Sequence, residues 1–457
     1  MLNRYRFCCS AVLVCALSLR AQELPRRNMF GAAVSADGRG VLITALVPDS
    51  PAQLAGLKVG DVITRLGTTS ILNVGQFLQA VRAATPATTM SVAVDRAGKP
   101  ESFSVHIVPV TKEADPDVET VYSALQVGGS LRRTLVTVPK GTTRNLPAVL
   151  LIGGIGCYSV DNPSDLNDPY RTLAHDLGRS GVVVMRVEKS GIGDSQGEPC
   201  FETGFTEESE MYAAALAALF REPHVDPHRV FLFGHSIGTL VAPRLAVVNP
   251  VAGVIVAEAV GINWFEYELA NLRRQSVLGG DSPAVTDDLL RSKESCMHRL
   301  LMDRESESAI ESTMPDCRLR NSYPVAAPYM QEVAALNIAE PWSRINVPVL
   351  VFYGSADFVT AEAEHRRIVD IVNAAHPGSA SFQVVQGMDH HLELMGTPRE
   401  AYDRRVKRHE DAPYAKQLSI DLVEWLCVHT NCGRVERVFW SIQTLNGRPD
   451  EGVMLTR

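Results

Sequence analysis

Gly234-His235-Ser236-Ile237-Gly238 sets a serine between two glycines, directly after the apolar run 230–233 and at the head of a helix-forming run, 237–247. That order of strand, tight turn and helix strains the backbone and lifts the serine hydroxyl above its surroundings, with Gly234 and Gly238 relieving the crowding. A serine hydroxyl is a poor nucleophile until a base takes its proton, and the base needs an acid to orient it. Both follow later in the chain. Asp357 closes Gly354-Ser355-Ala356-Asp357 after an apolar run, and His390 lies in Gly387-Met388-Asp389-His390-His391 after the run 382–385. His391 is the alternative base, and Asp389 reads as a loop-shaping residue. The tetrahedral intermediate of acyl transfer needs two aimed amide donors. The N–H of Ile237, next after the nucleophile, is one. The N–H of Ile155, in the loop Gly153-Gly154-Ile155-Gly156, is the other. This chemistry calls for no metal and no organic cofactor.

The elements that must hold these residues can be read from apolar periodicity. Short apolar, β-branched runs at 148–152, 182–187, 230–233, 252–257, 348–353 and 382–385 alternate with helical patterns at 169–179, 206–220, 237–247, 361–373 and 413–428. A hairpin is expected over 122–138. Alternation of this kind implies a mostly parallel sheet with helices on both faces, an α/β fold with its site at the strands' C-terminal ends. All five candidate residues fall there. Residues 261–345 break the rhythm as a helical, charged insert. Its Trp264, Phe265, Tyr267, Tyr323, Tyr329, Met330 and Trp342 either line an acyl pocket or form the insert's own core.

A separate module occupies 28–110. Ser50-Pro51 reads as a cap and first position of a short helix, and Asn73 caps a second helix with Val74, Phe77, Leu78 and Val81 on one face. A hairpin turns at Ala97-Gly98. The run Ser50-Pro51-Ala52-Gln53-Leu54-Ala55-Gly56-Leu57-Lys58-Val59-Gly60-Asp61-Val62-Ile63 resembles a bacterial PDZ domain, a small β+α fold. The resemblance implies a groove for a protein C-terminus, held by the loop Phe30-Gly31-Ala32 and the helix carrying Val74 and Leu78. A module that only packs against its own chain is the alternative. Residues 111–120, with Glu113, Asp115, Asp117 and Glu119, read as a linker.

Residues 121–430 resemble the α/β-hydrolase superfamily. The resemblance rests on Gly153 to Gly156, Glu188-Lys189-Ser190-Gly191-Ile192-Gly193-Asp194-Ser195-Gln196-Gly197, the serine turn, Gly354 to Asp357 and Gly387 to His390. The stretch Glu188 to Gly197 is most similar to carboxylesterases of the EstD type and to serine aminopeptidase-like hydrolases. Gly153, where many relatives carry His, and Thr239, where they often carry Gly, depart from the pattern without removing a reacting atom. The insert 261–345 then corresponds to a lid. The resemblance implies a serine hydrolase acting on a small ester. A peptidase acting on short peptides is the alternative; it would need lid carboxylates for a substrate amine, with Glu266 and Glu268 as candidates. A PDZ adaptor with an inert hydrolase domain is a third reading, which the intact Ser236, Asp357 and His390 oppose.

Residues 1–21 carry Arg4, Arg6 and Arg20, no acid, and a 12-residue apolar run at 8–19, too short to span a bilayer at about 20 residues. They read as a signal for export to the periplasm or the exterior. Of nine cysteines, Cys8, Cys9 and Cys15 lie in that signal, which leaves an even six. Proximity along the chain and in the expected fold favours Cys157–Cys200, Cys296–Cys317 and Cys427–Cys432. A net charge of −8 with no basic tract excludes a nucleic-acid footprint. No further run is apolar enough to span a membrane once the signal is removed. Residues 431–457 carry no assignment.

Overall fold

The computed structural model describes residues 24–317 and 323–430. The signal reading, Cys432 and the tail 431–457 lie outside them.

In the first module the strands Ala32–Ala36, Val41–Leu46, Val62–Leu66, Thr89–Arg96 and Lys99–His106 pair in that order, and Thr69–Ser70 pairs with Val62–Leu66. Ser50 caps the helix Pro51–Leu54 by accepting from Gln53 N–H, and Asn73 caps Val74–Ala83 by accepting from Gln76 N–H. Val41, Ile43, Ile63, Phe77, Val92 and Val105 form its core. Phe30, in the loop expected at the peptide groove, turns its ring into this core, 5.2 Å from Phe77. An aromatic ring gains more from burial there than from a solvated groove. Val74 is half-buried and Leu78 exposed on the helix that flanks the sheet edge.

The second domain holds an eight-stranded sheet. Its strands are β1 (Val118–Val127), β2 (Ser130–Pro139), β3 (Leu146–Ile152), β4 (Val183–Val187), β5 (Val225–His235), β6 (Gly253–Ala257), β7 (Val349–Gly354) and β8 (Ala380–Val385). The order across the sheet is β1-β2-β4-β3-β5-β6-β7-β8, with β1 and β2 antiparallel and β3 to β8 parallel. β3, β4 and β6 are buried at every residue, as covering on both faces requires. Alternate residues serve opposite layers. Val149 and Leu151 pack under the helices Pro169–Arg179 and Lys416–Thr430, while Ala148, Leu150 and Ile152 pack under Phe205–Leu219 and Gly238–Val248. β5 begins at Val225, before the expected residue 230, because the strand continues through Asp226-Pro227-His228. Trp264, Tyr267, Tyr329, Met330 and Trp342 are all buried and merge with this second layer's core, so the insert's own core takes them rather than a pocket.

Residues 111–120 do more than link the two domains. β1 starts inside it, at Val118, and Glu113 is a buried anchor. The Glu113 carboxylate accepts from both terminal nitrogens of buried Arg186, at 2.9 and 2.7 Å, and lies 3.0 Å from His175 Nε2. Burial pushes this carboxyl up, but the Arg186 guanidinium and His175 outweigh it and hold it at about 2. A depressed carboxyl contributes stability above its unfolded value and loses it as pH falls through its folded value. Glu113→Gln is therefore expected to lower stability by about 3 kcal/mol at neutral pH, from the size of the shift. Denaturant titrations should show that gap shrinking from about pH 4.5 down to about pH 2. A gap that stays constant across that window would mean that packing, not charge, carries the effect.

Candidate active site

Ser236 sits on the turn between β5 and Gly238–Val248 with φ +53°, a left-handed conformation that strains a non-glycine residue. The flanking glycines are required by contact. A Cβ on Gly234 would lie 2.7 Å from Gly238 O, and one on Gly238 would lie 2.3 Å from Ile152 O. Thr239, where relatives often carry Gly, donates its hydroxyl to Ser236 O at 2.6 Å and so stiffens the turn.

His390 Nε2 accepts from the Ser236 hydroxyl at 2.9 Å, and its Nδ1–H donates to Asp357 Oδ2 at 3.0 Å. All three side chains are buried or nearly so. Asp357 Oδ1 also accepts from the N–H groups of Val359 (2.6 Å) and Thr360 (3.1 Å), and Oδ2 from the Thr360 hydroxyl. Burial works against the Asp357 anion, but the facing His390 and these donors prevail and hold its carboxyl well below the usual range. The three residues come from the ends of β5, β7 and β8, as the spacing predicts. His391 does not join them. Its backbone N–H binds Asp389 Oδ1, and burial with the neighbouring His390 pushes its imidazole down to about 4.

The loop after β3 is held by a buried polar network. Gly153 N–H donates to the Tyr212 hydroxyl (3.1 Å) and Gly154 N–H to the Tyr170 hydroxyl (3.0 Å). Gly154 O accepts from Lys189 Nζ at 2.7 Å, and Lys189 pairs with buried Glu208 at 3.1 Å. Among the described residues, the N–H groups of Ile155 and Ile237 have no protein acceptor. The Gly153 and Gly154 amides are spoken for, and Ile155 N–H, with Ile237 N–H next after the nucleophile, is free to hold an oxyanion. His235 joins the network to the base. Its Nε2–H donates to His390 O at 2.8 Å, which leaves Nδ1 to accept from the Tyr170 hydroxyl at 2.6 Å. Burial pushes His235 down to about 3, so it stays neutral.

The side chains Lys189, Glu208, Tyr170, Tyr212 and His235 have no role legible from spacing. Lys189 stood in a family motif, but nothing in its position named its partner. The residues open onto a cleft of about 830 Å³. Its walls are mixed: Asn162, Asp165 and Asp168 stand on the segment after β3 and His391, Arg405 and Asp411 on the segment after β8, among apolar residues such as Ile155 and Leu392. Glu266 and Glu268 do not line it.

Cys157 and Cys200 are bonded, with Cα atoms 5.6 Å apart, and join the loops after β3 and β4. Cys296 and Cys317 are bonded across the insert, with Cα atoms 5.7 Å apart. Cys427 lies in the last turn of the helix Lys416–Thr430. Residues 24–27, unassigned in the sequence reading, tie the first module to the second domain. Arg26 pairs with Asp161 (2.6 Å) and Asp194 (2.5 Å), and Arg27 N–H donates to Asp194 Oδ1 at 2.7 Å.

The strand order and the serine turn at the end of the central strand define an α/β hydrolase, preceded by a module that matches the PDZ domain model over residues 28–107. The family model described as "Serine aminopeptidase, S33" matches residues 166–394, half of the chain, and the chain belongs to that family. Esterase EstD of Thermotoga maritima is 25% identical over 232 residues, which is 50% of this chain and 50% of that protein. Thiohydrolase apmlB of Arthrinium phaeospermum is 25% identical over 198 residues, 40% of this chain and 63% of that one. The chain thus spans about half to under two thirds of these curated relatives. The α/β hydrolase GrgF from Penicillium sp. sh18 has a TM-score of 0.44 at 15% identity, covering 69% of this chain and all of that one.

Proposed function

We propose that this protein is an exported serine hydrolase that cleaves carboxylic esters through an acyl-enzyme. The observation that carries the reading is the relay Ser236–His390–Asp357, at 2.9 and 3.0 Å, beside two free amides. Ser236 Oγ attacks the ester carbonyl carbon while His390 Nε2 takes the hydroxyl proton, and the carbonyl oxygen becomes an anion held by the N–H groups of Ile155 and Ile237. Collapse expels the alcohol, which leaves with the proton from His390. Water then repeats the sequence on the acyl-serine and frees the acid. Asp357 keeps the His390 ring in register and stabilises its cation; it does not take the proton.

Supporting the ester reading is the relative named an esterase. The two lid carboxylates that the peptidase alternative called on do not serve it: Glu266 is exposed and bound to Asn263, and neither it nor Glu268 lines the cleft. Two disulfides fit an oxidising compartment, which supports export. No described helix is long and apolar enough to cross a membrane. The first module offers a peptide partner a strand edge. Among the described residues Ala32–Ala36 pairs only with Val41–Leu46, and its other edge faces the helix Val74–Ala83, which suits an added extended C-terminus.

The test is turnover of short and long p-nitrophenyl esters and of aminoacyl anilides by the purified protein, with Ser236→Ala beside it. Ester turnover lost in Ser236→Ala is expected. Turnover that survives there overturns the mechanism, and anilide turnover without ester turnover promotes the peptidase.

A further inference from the structure

One buried acid beside the relay has no part in the mechanism above. Glu258 follows β6 directly, is fully buried, and holds φ +51°. A non-glycine residue in that conformation is strained and persists where the surroundings impose it. Its Oε1 accepts from Gly354 N–H at 2.8 Å, but its Oε2 has no donor. Glu258, Asp357 and His390 each present an atom within 4.8 Å of the others. An acceptor-only oxygen buried against another carboxylate, with no donor between them, is satisfied in one way: one of the two oxygens carries a proton. Asp357 already collects donors from Val359, Thr360 and His390, so it is the anion and Glu258 the acid.

We propose that Glu258 is a positioning residue of the relay, a neutral carboxylic acid whose O–H donates to Asp357 and fixes the carboxylate that faces His390. This rests on the reading of Ser236, His390 and Asp357 as the reacting relay. Burial, then the charge of Asp357 and that of Asp389, all push the Glu258 carboxyl up, in keeping with a held proton. The other groups around it agree. His365 Nε2, 3.9 Å from Glu258 Oε2, is occupied by Ala259 N–H and is pushed down by burial to about 4, so it brings no cation. Arg274 lies further out and is paired with Glu364. Tyr353 and Tyr267 are pushed up by burial and stay neutral. Two carboxylates with no resident cation between them would otherwise share one dry site, which the low local dielectric opposes.

Glutamine and alanine at 258 separate a neutral donor from a charge and from mere filling. Glu258→Gln keeps a donor toward Asp357 and an acceptor for Gly354 N–H. Its kcat for a p-nitrophenyl ester is expected within about threefold of the parent, and the acidic limb of its kcat/KM–pH profile unmoved. Glu258→Ala removes the donor and is expected to lower kcat about 10–100-fold, the worth of a hydrogen bond to a charged group, with KM unchanged within about twofold. If Glu258 were instead ionised, Glu258→Gln would delete a negative charge beside His390 and move the acidic limb down by about one pH unit or more, which overturns the proposal. Parent-like kcat in Glu258→Ala overturns it too. Should the alanine variant fail to fold, the pH limb of Glu258→Gln decides alone. Ser236→Ala in the same assay keeps the two levels apart: turnover surviving there sinks the relay itself, whereas the Glu258 series sinks only this inference.

Discussion

His390→Ala is expected to lower kcat for esters by about 10⁵–10⁶, as much as Ser236→Ala, because a nucleophile and its base act as one unit. The two residues lie 2.9 Å apart and neither works without the other. Combining the two changes should therefore cost little more than either alone, and a double variant far worse than both would contradict the shared role. His391 supplies the contrast. Its ring centre lies 6.1 Å from that of His390, and its backbone is pinned to Asp389. His391→Asn should keep turnover within about tenfold of the parent, since it touches the cleft wall but not the Ser236 hydroxyl. A loss in His391→Asn that matches His390→Ala would mean the neighbouring imidazole is the base. Near-parent turnover by His390→Ala would remove serine–imidazole chemistry altogether.

The residues of that prediction were legible because the chemistry constrains them. A serine between glycines after an apolar run has few explanations, and its acid and base must sit on strand ends of the same sheet edge. The strands were legible for a related reason. Runs such as Leu146–Ile152 are buried on both faces, so they carry no polar alternation to blur them. What failed to show was long-range. Nothing in the aromatics at 264–342 says whether they face a cleft or each other; packing of the insert on the second layer's core decided it. Nothing in Asn162, Asp168 or Asp411 says that they line the cleft, because they come from segments whose paths the sheet order sets. Glu113 read as one more linker acid until Arg186, far along the chain, met it. Glu258 did leave a trace: a charged residue directly after a wholly apolar strand, on the same sheet edge as the serine. Burial of a charge there needs a reason.

Removing the Cys157–Cys200 bond is expected to cost both stability and turnover, and the reason for each differs. The bond closes a 43-residue separation, for which loop-closure entropy alone gives about 4 kcal/mol. The Cys157→Ser/Cys200→Ser double variant, which leaves no odd thiol, should melt roughly 6–10 °C lower. The cost in turnover is local. Cys157 stands two residues beyond Ile155, on a loop whose far side is gripped by Tyr212, Tyr170 and Lys189, while Cys200 anchors the near side to the loop after β4. Freed there, the Ile155 amide loses its aim, and a misplaced oxyanion donor costs up to about 10²–10³ in kcat. The insert's bond, Cys296–Cys317, spans 21 residues and is the built-in control. Its removal should cost about 3 kcal/mol by the same entropy and leave kcat within about threefold, since no residue of that pair reaches the cleft. Melting curves and ester kinetics on both double variants, at a temperature where each is fully folded, separate the effects. Equal kcat in the two variants would show that the first bond stabilises the fold without aiming Ile155. A fall in kcat confined to the Cys157–Cys200 variant would tie turnover to oxidation, so that the protein would reach full activity only in a compartment that forms the bond.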